Sequence, residues 1–357
     1  MLSSMQTPQP LRVGIIGFGV SGSVFHAPTI NALPEFDLAA IVSDRVEHLE
    51  LAGSRYPSAT LWADVEDFFA HSQNLDVVTV SVTADLHYAV AKRLIDLGIP
   101  VIVEKPLAST ADLAADLVSY AAGKDAFLTC FQNRRWDGDY LTVKSLISAG
   151  RLGRVTRYVS RFEAPQFDVG AGWRESPARG MAGGVLFDLG AHLVDQAVQL
   201  FGEVKEVYAE TGISRPSAQV DDDSFVSLLF ANGVRVHLEA SKANAKPGPR
   251  FQVIGTEGTY TKWGLDPQEA QLKDGLSPCD PAYGHSSESS ILSSRAGDEA
   301  VPLHAGDYRE FYRDVAAALR EGAPPSVDPS DSVYALRILE AAGQSAATHS
   351  VQPAVAR

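Results

Sequence analysis

Three side chains in this sequence have the types and spacing to oxidise an alcohol. Asp188 and His192 are four residues apart in a run of helical periodicity, so their side chains neighbour each other. Asp195 and Gln199 continue the same face, while Val185, Leu189, Leu193, Ala197 and Leu200 are apolar. A polar stripe on an otherwise buried helix either lines a cleft or is its solvated side. In a cleft, His192 could take a hydroxyl proton or return one, since an imidazole titrates near neutrality. Lys105 follows the apolar run Val101-Ile102-Val103 and precedes Pro106. At the carboxyl edge of a parallel sheet, where ligands bind, its ammonium could stabilise charge on a substrate oxygen. The plainer reading is an exposed lysine that ends a strand.

A hydride lost from carbon needs an acceptor, and Gly17-Phe18-Gly19-Val20-Ser21-Gly22 is a GxGxxG placed to hold one. It follows the first apolar run and opens the first helical pattern, the context that gives this short motif its meaning. Gly17 permits the tight turn, Gly19 a close approach to pyrophosphate, and Gly22 close helix–strand packing. The helix start adds unpaired N–H groups and positive dipole. Asp44 stands 22 residues beyond Gly22 at the end of the second apolar run. A carboxylate there suits the ribose hydroxyls of NAD and repels the 2′-phosphate of NADP. Ser43 and Arg45 flank it, and an arginine could pair with that phosphate, so NAD is favoured slightly and NADP stays open.

These residues need a scaffold. Short apolar runs at 11–17, 36–42, 59–63, 75–82, 99–105 and 126–130 alternate with helical patterns at 20–32, 46–55, 64–70, 85–98 and 110–122. That alternation predicts a doubly wound parallel sheet with helices on both faces. The rhythm then changes. A helix is expected at 140–149, a strand at 153–163 and one long helix at 183–202. Five strand candidates follow at 206–213, 224–231, 233–241, 250–256 and 258–264, separated by short turn signals, which predicts an open, mostly antiparallel sheet. Helices close the chain at 308–322 and 333–347, and 264–306 is the least regular part. The fold class is therefore α/β, an N-terminal Rossmann domain plus a C-terminal α+β domain. The expected organisation is a loose tail over 1–10, a dinucleotide-binding domain over 11–130, a substrate and oligomerisation domain over 131–330, and a C-terminal helix and tail over 331–357.

The net charge of −14 disfavours nucleic acid or an anionic membrane surface as partner. No stretch approaches the roughly 18 apolar residues of a membrane span. The two cysteines, Cys130 and Cys279, form no CxxC pair, and a reducing cytoplasm is expected. His26, His48, His71, His237, His285, His304 and His349 show no ligand spacing, and no metal is expected. Asp221-Asp222-Asp223 reads as a solvated turn before a strand.

Further segments carry a family resemblance: Val103-Glu104-Lys105-Pro106, Phe131-Gln132-Asn133-Arg134-Arg135-Trp136-Asp137, and residues 183–192 ending in Asp188-Leu189-Gly190-Ala191-His192. With the GxGxxG, they resemble the glucose–fructose oxidoreductase / inositol dehydrogenase / MocA family over about residues 11–345. Trp173-Arg174-Glu175, the run at 192–196 and that at 265–269 bring the chain nearest to its scyllo-inositol dehydrogenase-like branch. The resemblance implies hydride transfer between nicotinamide and a carbinol carbon of a polyol, inositol or sugar, in a cleft between the domains. His192 would be the acid/base, Lys105 would orient the oxygen, and Asp188 would bind a substrate hydroxyl. Cofactor contacts would come from residues 17–22, from Ser43, Asp44 and Arg45, and from Ser81, Thr83, His87, Glu104, Lys105 and Asn133. Substrate contacts would come from Arg135, Arg161, Trp173, Arg174, Asp188 and His192. A homodimer or homotetramer built through the open sheet is also implied. One departure is Thr83-Ala84-Asp85 where the family usually has Thr-Pro-Asn, which loosens the turn near the nicotinamide ribose. The alternatives are a non-catalytic NAD(P)-binding regulator, which would tend to lose the Lys or the His, and a redox-elimination glycosidase, which would hold NAD without exchange.

Overall fold

The structure, a computed structural model, describes residues 9–170, 172, 175 and 183–353. The β-branched runs of the first third form β1 (Leu11–Ile16), β2 (Phe36–Val42), β3 (Thr60–Trp62), β4 (Val77–Val80), β5 (Val101–Val103) and β6 (Leu128–Cys130). They pair in parallel in the order β3-β2-β1-β4-β5-β6. Such strands must be covered on both faces. The cover comes from α1 (Ala27–Asn31), α2 (Val46–Arg55), α3 (Val65–Ala70), α4 (Ala84–Asp96) and α5 (Ala111–Gly123). The strand order reverses between β1 and β4, which opens a crevice at their carboxyl ends. The helix expected at 20–32 is instead a wide π turn, Ser21–His26, that runs into the short α1. A π turn of this kind often marks a functional site.

The second part comprises α6 (Gly138–Ser148), β7 (Val155–Glu163), α7 (Val185–Asp188), α8 (Gly190–Phe201), β8 (Val204–Gly212), β9 (Asp223–Phe230), β10 (Arg235–Ser241), β11 (Phe251–Gly255), β12 (Gly258–Lys262), α9 (Gln268–Lys273), β13 (Ser290–Ser294), β14 (Gly297–Ala300), α10 (Arg309–Glu321), α11 (Pro329–Thr348) and β15 (Gln352–Pro353). Nine strands order as β14-β13-β12-β11-β7-β10-β9-β8-β15. Among the described strands only β7 and β10 pair in parallel within this sheet. Tyr158, Phe162, Val226, Leu228, Val236 and Leu238 point to one face and pack under α8 and α11.

Two expectations need correcting. The long helix at 183–202 is two helices broken at Leu189. Gly190, just past the break, lets Leu339 of α11 come so near that a Cβ would sit 3.1 Å from its side chain. Residues 264–306 are also more regular than expected, since they add α9 and the β13–β14 hairpin. β14 is exposed along its whole length, so backbone pairing forms it and no apolar alternation announces it.

The last helices return to what came before. Phe311, Tyr312, Val315 and Ala316 of α10 pack on the first sheet with Val13, Ile15 and Ile102. α11 starts on an Asp328 cap with Pro329 in its first turn. It lends Val333 and Leu336 to the first core, and Ile338, Leu339 and Ala342 to the second.

Candidate active site

The glycine turn follows β1 and abuts the end of its neighbour β4. Gly17 has φ +97°, and a Cβ there would sit 2.3 Å from the Ser81 carbonyl at the end of β4. A Cβ on Gly22 would lie 2.2 Å from the Gly17 carbonyl. Both positions therefore need glycine for the turn itself. Gly19 differs, because a Cβ there would meet nothing within 4 Å. Its backbone borders open space, where a pyrophosphate can come close. Ser81 Oγ and Gln132 Oε1 are buried at this edge without a hydrogen-bond partner among the described residues. Val20, Val46 and Leu86 follow β1, β2 and β4 and are exposed apolar side chains that a planar ring could cover. These features fit a dinucleotide.

The other expected cofactor contacts divide. Asp44 and Arg45 are exposed beyond β2. Ser43 is buried, with its hydroxyl 3.2 Å from His48 Nδ1 and accepting the Arg45 N–H at 3.3 Å. Thr83 is half-buried at the start of α4, and Asn133 is buried in the turn after β6. Phe18 is buried against Tyr56 and can offer only its backbone. The Ser21 hydroxyl donates to Glu104 and is spent inside the protein. His87 is a correction: it is buried, with Nδ1 2.7 Å from the Pro106 carbonyl and Nε2 3.1 Å from that of Val82. Both ring nitrogens are taken up by backbone carbonyls, so the ring braces two loops together, and burial pushes its pKa down.

Lys105 and Asp188 come together, and His192 follows four residues later. Lys105 Nζ donates to the Asp188 carbonyl at 2.7 Å and to Asp188 Oδ1 at 2.9 Å. Asp188 ends α7 and His192 lies in the first turn of α8, with its ring edge-on to Phe162 at 6.4 Å between centroids. Asp188 and His192 are each 7% exposed, too buried for a solvated helix face. The stripe is therefore interior, and the Lys105 ion pair brings Asp188 to the carboxyl edge of β5. The stripe's continuation Asp195 is also buried.

Glu104 supports this constellation from below. Burial raises its pKa, but hydrogen bonds from His26 and Ser21 and the Lys105 charge outweigh that and hold it near 2. It is ionised, and its Oε2 accepts the Lys105 backbone N–H at 2.9 Å.

Two substrate candidates are corrected. The Arg135 guanidinium is bound to Asp195 at 2.6 and 2.8 Å and to Asp331 at 3.0 Å, so it ties α8 to α11. Arg161 pairs with Glu239 of the neighbouring strand at 2.7 and 3.0 Å. Its sequence neighbour Phe162 faces His192, so Arg161 points to the opposite face of the sheet. Trp173 and Arg174 lie outside the described residues.

Other positioning residues carried no sequence signal. Asp221 accepts the Val185 N–H on its backbone carbonyl at 3.0 Å and the Leu186 N–H on its carboxylate at 2.7 Å, which caps the helix that ends in Asp188. Asp222 is fully buried and binds the Arg215 guanidinium at 2.9 Å. The Asp221-Asp222-Asp223 run is thus largely engaged rather than solvated. Arg215 and Lys242 both bind Glu175 at 2.9 Å, so two cations hold this one carboxylate. Their partners lie tens of residues away, where spacing gives no clue. Among the described residues no group of His, Cys, Asp or Glu could hold a metal, and no described helix is long and apolar enough to cross a membrane.

A switch-point crevice with a glycine turn, next to a buried Lys/Asp/His set, defines an oxidoreductase that binds a nicotinamide dinucleotide. The comparisons specify the family. Residues 11–131 match the model described as oxidoreductase family, NAD-binding Rossmann fold, and residues 140–261 match the GFO/IDH/MocA C-terminal domain. The chain belongs to the Gfo/Idh/MocA oxidoreductase family. It is 33% identical to scyllo-inositol 2-dehydrogenase (NADP(+)) IolW of Bacillus subtilis, over 97% of this chain and 96% of that protein. It is 27% identical to D-glucoside 3-dehydrogenase of Escherichia coli over 68% of this chain and 73% of that protein. Among solved structures, the oxidoreductase YvaA of Bacillus subtilis superposes with a TM-score of 0.90 at 31% identity, covering 98% of this chain and 99% of that one. YPO2259 of Yersinia pestis superposes at 0.91 with 29% identity, covering 98% of each chain. The chain is accordingly an oxidoreductase acting on CH–OH groups.

Proposed function

We propose that the protein interconverts a secondary alcohol and a ketone on a polyhydroxylated ring, an inositol or a sugar, with NAD as the preferred dinucleotide. The observation that carries this reading is the ion pair of Lys105 with Asp188, one turn before His192, at the edge where the glycine turn opens. The bound nicotinamide supplies the hydride acceptor in oxidation and the donor in reduction. In oxidation, His192 takes the hydroxyl proton as the C–H electron pair leaves and the C=O bond forms. Lys105 donates a hydrogen bond to the reacting oxygen and stabilises its negative charge. Asp188 holds Lys105 in place and accepts a hydrogen bond from a neighbouring ring hydroxyl. A relative named scyllo-inositol 2-dehydrogenase and another named D-glucoside 3-dehydrogenase support the substrate class.

The preference for NAD rests on Asp44, whose exposed carboxylate would repel a 2′-phosphate. The relative named for NADP(+) makes the choice of dinucleotide a point to test. Asp44→Ser is expected to raise kcat/KM with NADP about tenfold or more relative to NAD, the size of one removed charge repulsion. A homodimer or homotetramer, paired through the face of the second sheet that carries Arg157, Arg161, His237 and Glu239, belongs to the same reading. So does a cytoplasmic location, supported by two unpaired cysteines. A steady-state screen of inositols, sugars and their keto forms, with NAD and NADP in parallel, tests the assignment. A flat response across the panel would refute it.

A further inference from the structure

Behind Lys105 runs a buried hydrogen-bond chain that touches no reacting atom. The Tyr312 hydroxyl of α10 lies 3.3 Å from Thr79 Oγ1 in β4 and 2.7 Å from His26 Nδ1. His26 Nε2 lies 3.0 Å from Glu104 Oε1, which also accepts the Ser21 hydroxyl. The other carboxylate oxygen accepts the Lys105 backbone N–H. His26, Thr79 and Tyr312 have no exposed surface, and the Phe131 ring lies 4.2 Å from that of His26. In a neutral imidazole, a Tyr312 O–H donating to Nδ1 leaves Nε2–H as the donor to Glu104.

One carboxylate thus holds two functional segments, the glycine turn through Ser21 and the catalytic lysine through its backbone. A buried carboxylate is tolerated only where donors satisfy it in fixed directions, and His26 is the donor with its own orienting partner behind it. We propose that His26, set by Tyr312, is a positioning residue: it orients Glu104 so that the dinucleotide turn and Lys105 are kept in register for hydride transfer. This rests on the reading of Lys105 as catalytic.

The test uses His26→Leu, which has similar bulk and no donor; His26→Gln, whose amide N–H reaches the same oxygen; and Tyr312→Phe. Lys105→Met runs alongside. The readouts are the NADH dissociation constant by calorimetry, kcat and KM with scyllo-inositol and NAD, and the melting temperature. His26→Leu is expected to lower kcat about tenfold or more and to weaken NADH binding about threefold to tenfold, with KM for scyllo-inositol within about twofold, as for loss of one hydrogen bond to a charged group. His26→Gln is expected to recover both to within about threefold of the parent. Parental kcat and NADH affinity in His26→Leu would overturn the proposal, and so would equal losses in the Leu and Gln variants, which would mean packing alone. Should His26→Leu not fold, Tyr312→Phe decides: a kcat loss of about threefold supports the proposal and parental kcat overturns it. Parental kcat in Lys105→Met overturns the catalytic reading and this inference with it. Loss in Lys105→Met beside parental kcat in His26→Leu overturns this inference alone.

Discussion

Gly19 and Gly22 belong to the same motif but do different work. Gly22 abuts the Gly17 carbonyl, while Gly19 borders open space. Gly22→Ala should therefore lower the melting temperature and weaken NADH binding together. Gly19→Ala should leave the melting temperature within a few degrees and weaken NADH binding alone, because its methyl fills only the approach to the pyrophosphate. Thermal melts and calorimetry on the two variants separate these outcomes. Glu104 gives a pH prediction. Its folded pKa, about 2, lies below the ordinary 4.5. Its ionised form therefore stabilises the fold above pH 4.5, and that contribution fades as pH falls towards 2. The stability of the parent relative to Glu104→Gln should fall by on the order of 3 kcal/mol over that window by linkage, read in denaturant titrations. A gap that stayed constant with pH would contradict the assignment.

At the scale of elements, α7 is a single turn that carries Asp188, and Asp221, just before β9, caps it. Gly184, with φ +87°, is needed because a Cβ there would sit 2.0 Å from the Asp221 carboxylate. Asp221→Ala should cost about 1 kcal/mol of stability. It should also lower kcat more than it raises KM, measured by steady-state kinetics, because it moves the partner of Lys105 rather than the substrate pocket. Helical spacing let Asp188 and His192 be read as neighbours, but no apolar or polar period announced the break at Leu189 that separates α7 from α8. The sequence reading could place Lys105 because an apolar strand precedes it. It could not find Asp221, His26 or Tyr312 in these roles, since each acts through a contact between segments far apart in the chain. The same limit explains the errors at Arg135 and Arg161. Their residue type suits a hydroxyl ligand, but carboxylates on neighbouring elements hold them, and only tertiary pairing shows that. The β13–β14 hairpin was illegible for another reason, because an exposed edge strand needs no apolar alternation.

Across the whole molecule, α11 binds the two sheets into one body. α10 packs on the first sheet, and α11 feeds both cores, Val333 and Leu336 to one and Tyr334, Ala335, Ile338 and Leu339 to the other. Unfolding should therefore be a single cooperative transition. Ile338→Ala, which removes a fully buried side chain on α11, should cost about 2–5 kcal/mol and shift that transition without splitting it. Two separate transitions in calorimetry would contradict this. The Lys105–Asp188 ion pair joins the end of β5 to α7, so the proposed site depends on how those cores dock. The most direct test of the central claim is the rate of NADH formation on mixing with NAD and scyllo-inositol, for the parent, Lys105→Met and His192→Ala, with NADH affinity measured on each. The parent is expected to form NADH and both variants to lose about a hundredfold or more of that rate, with NADH affinity nearly unchanged in His192→Ala. Parental rates in either variant would contradict it.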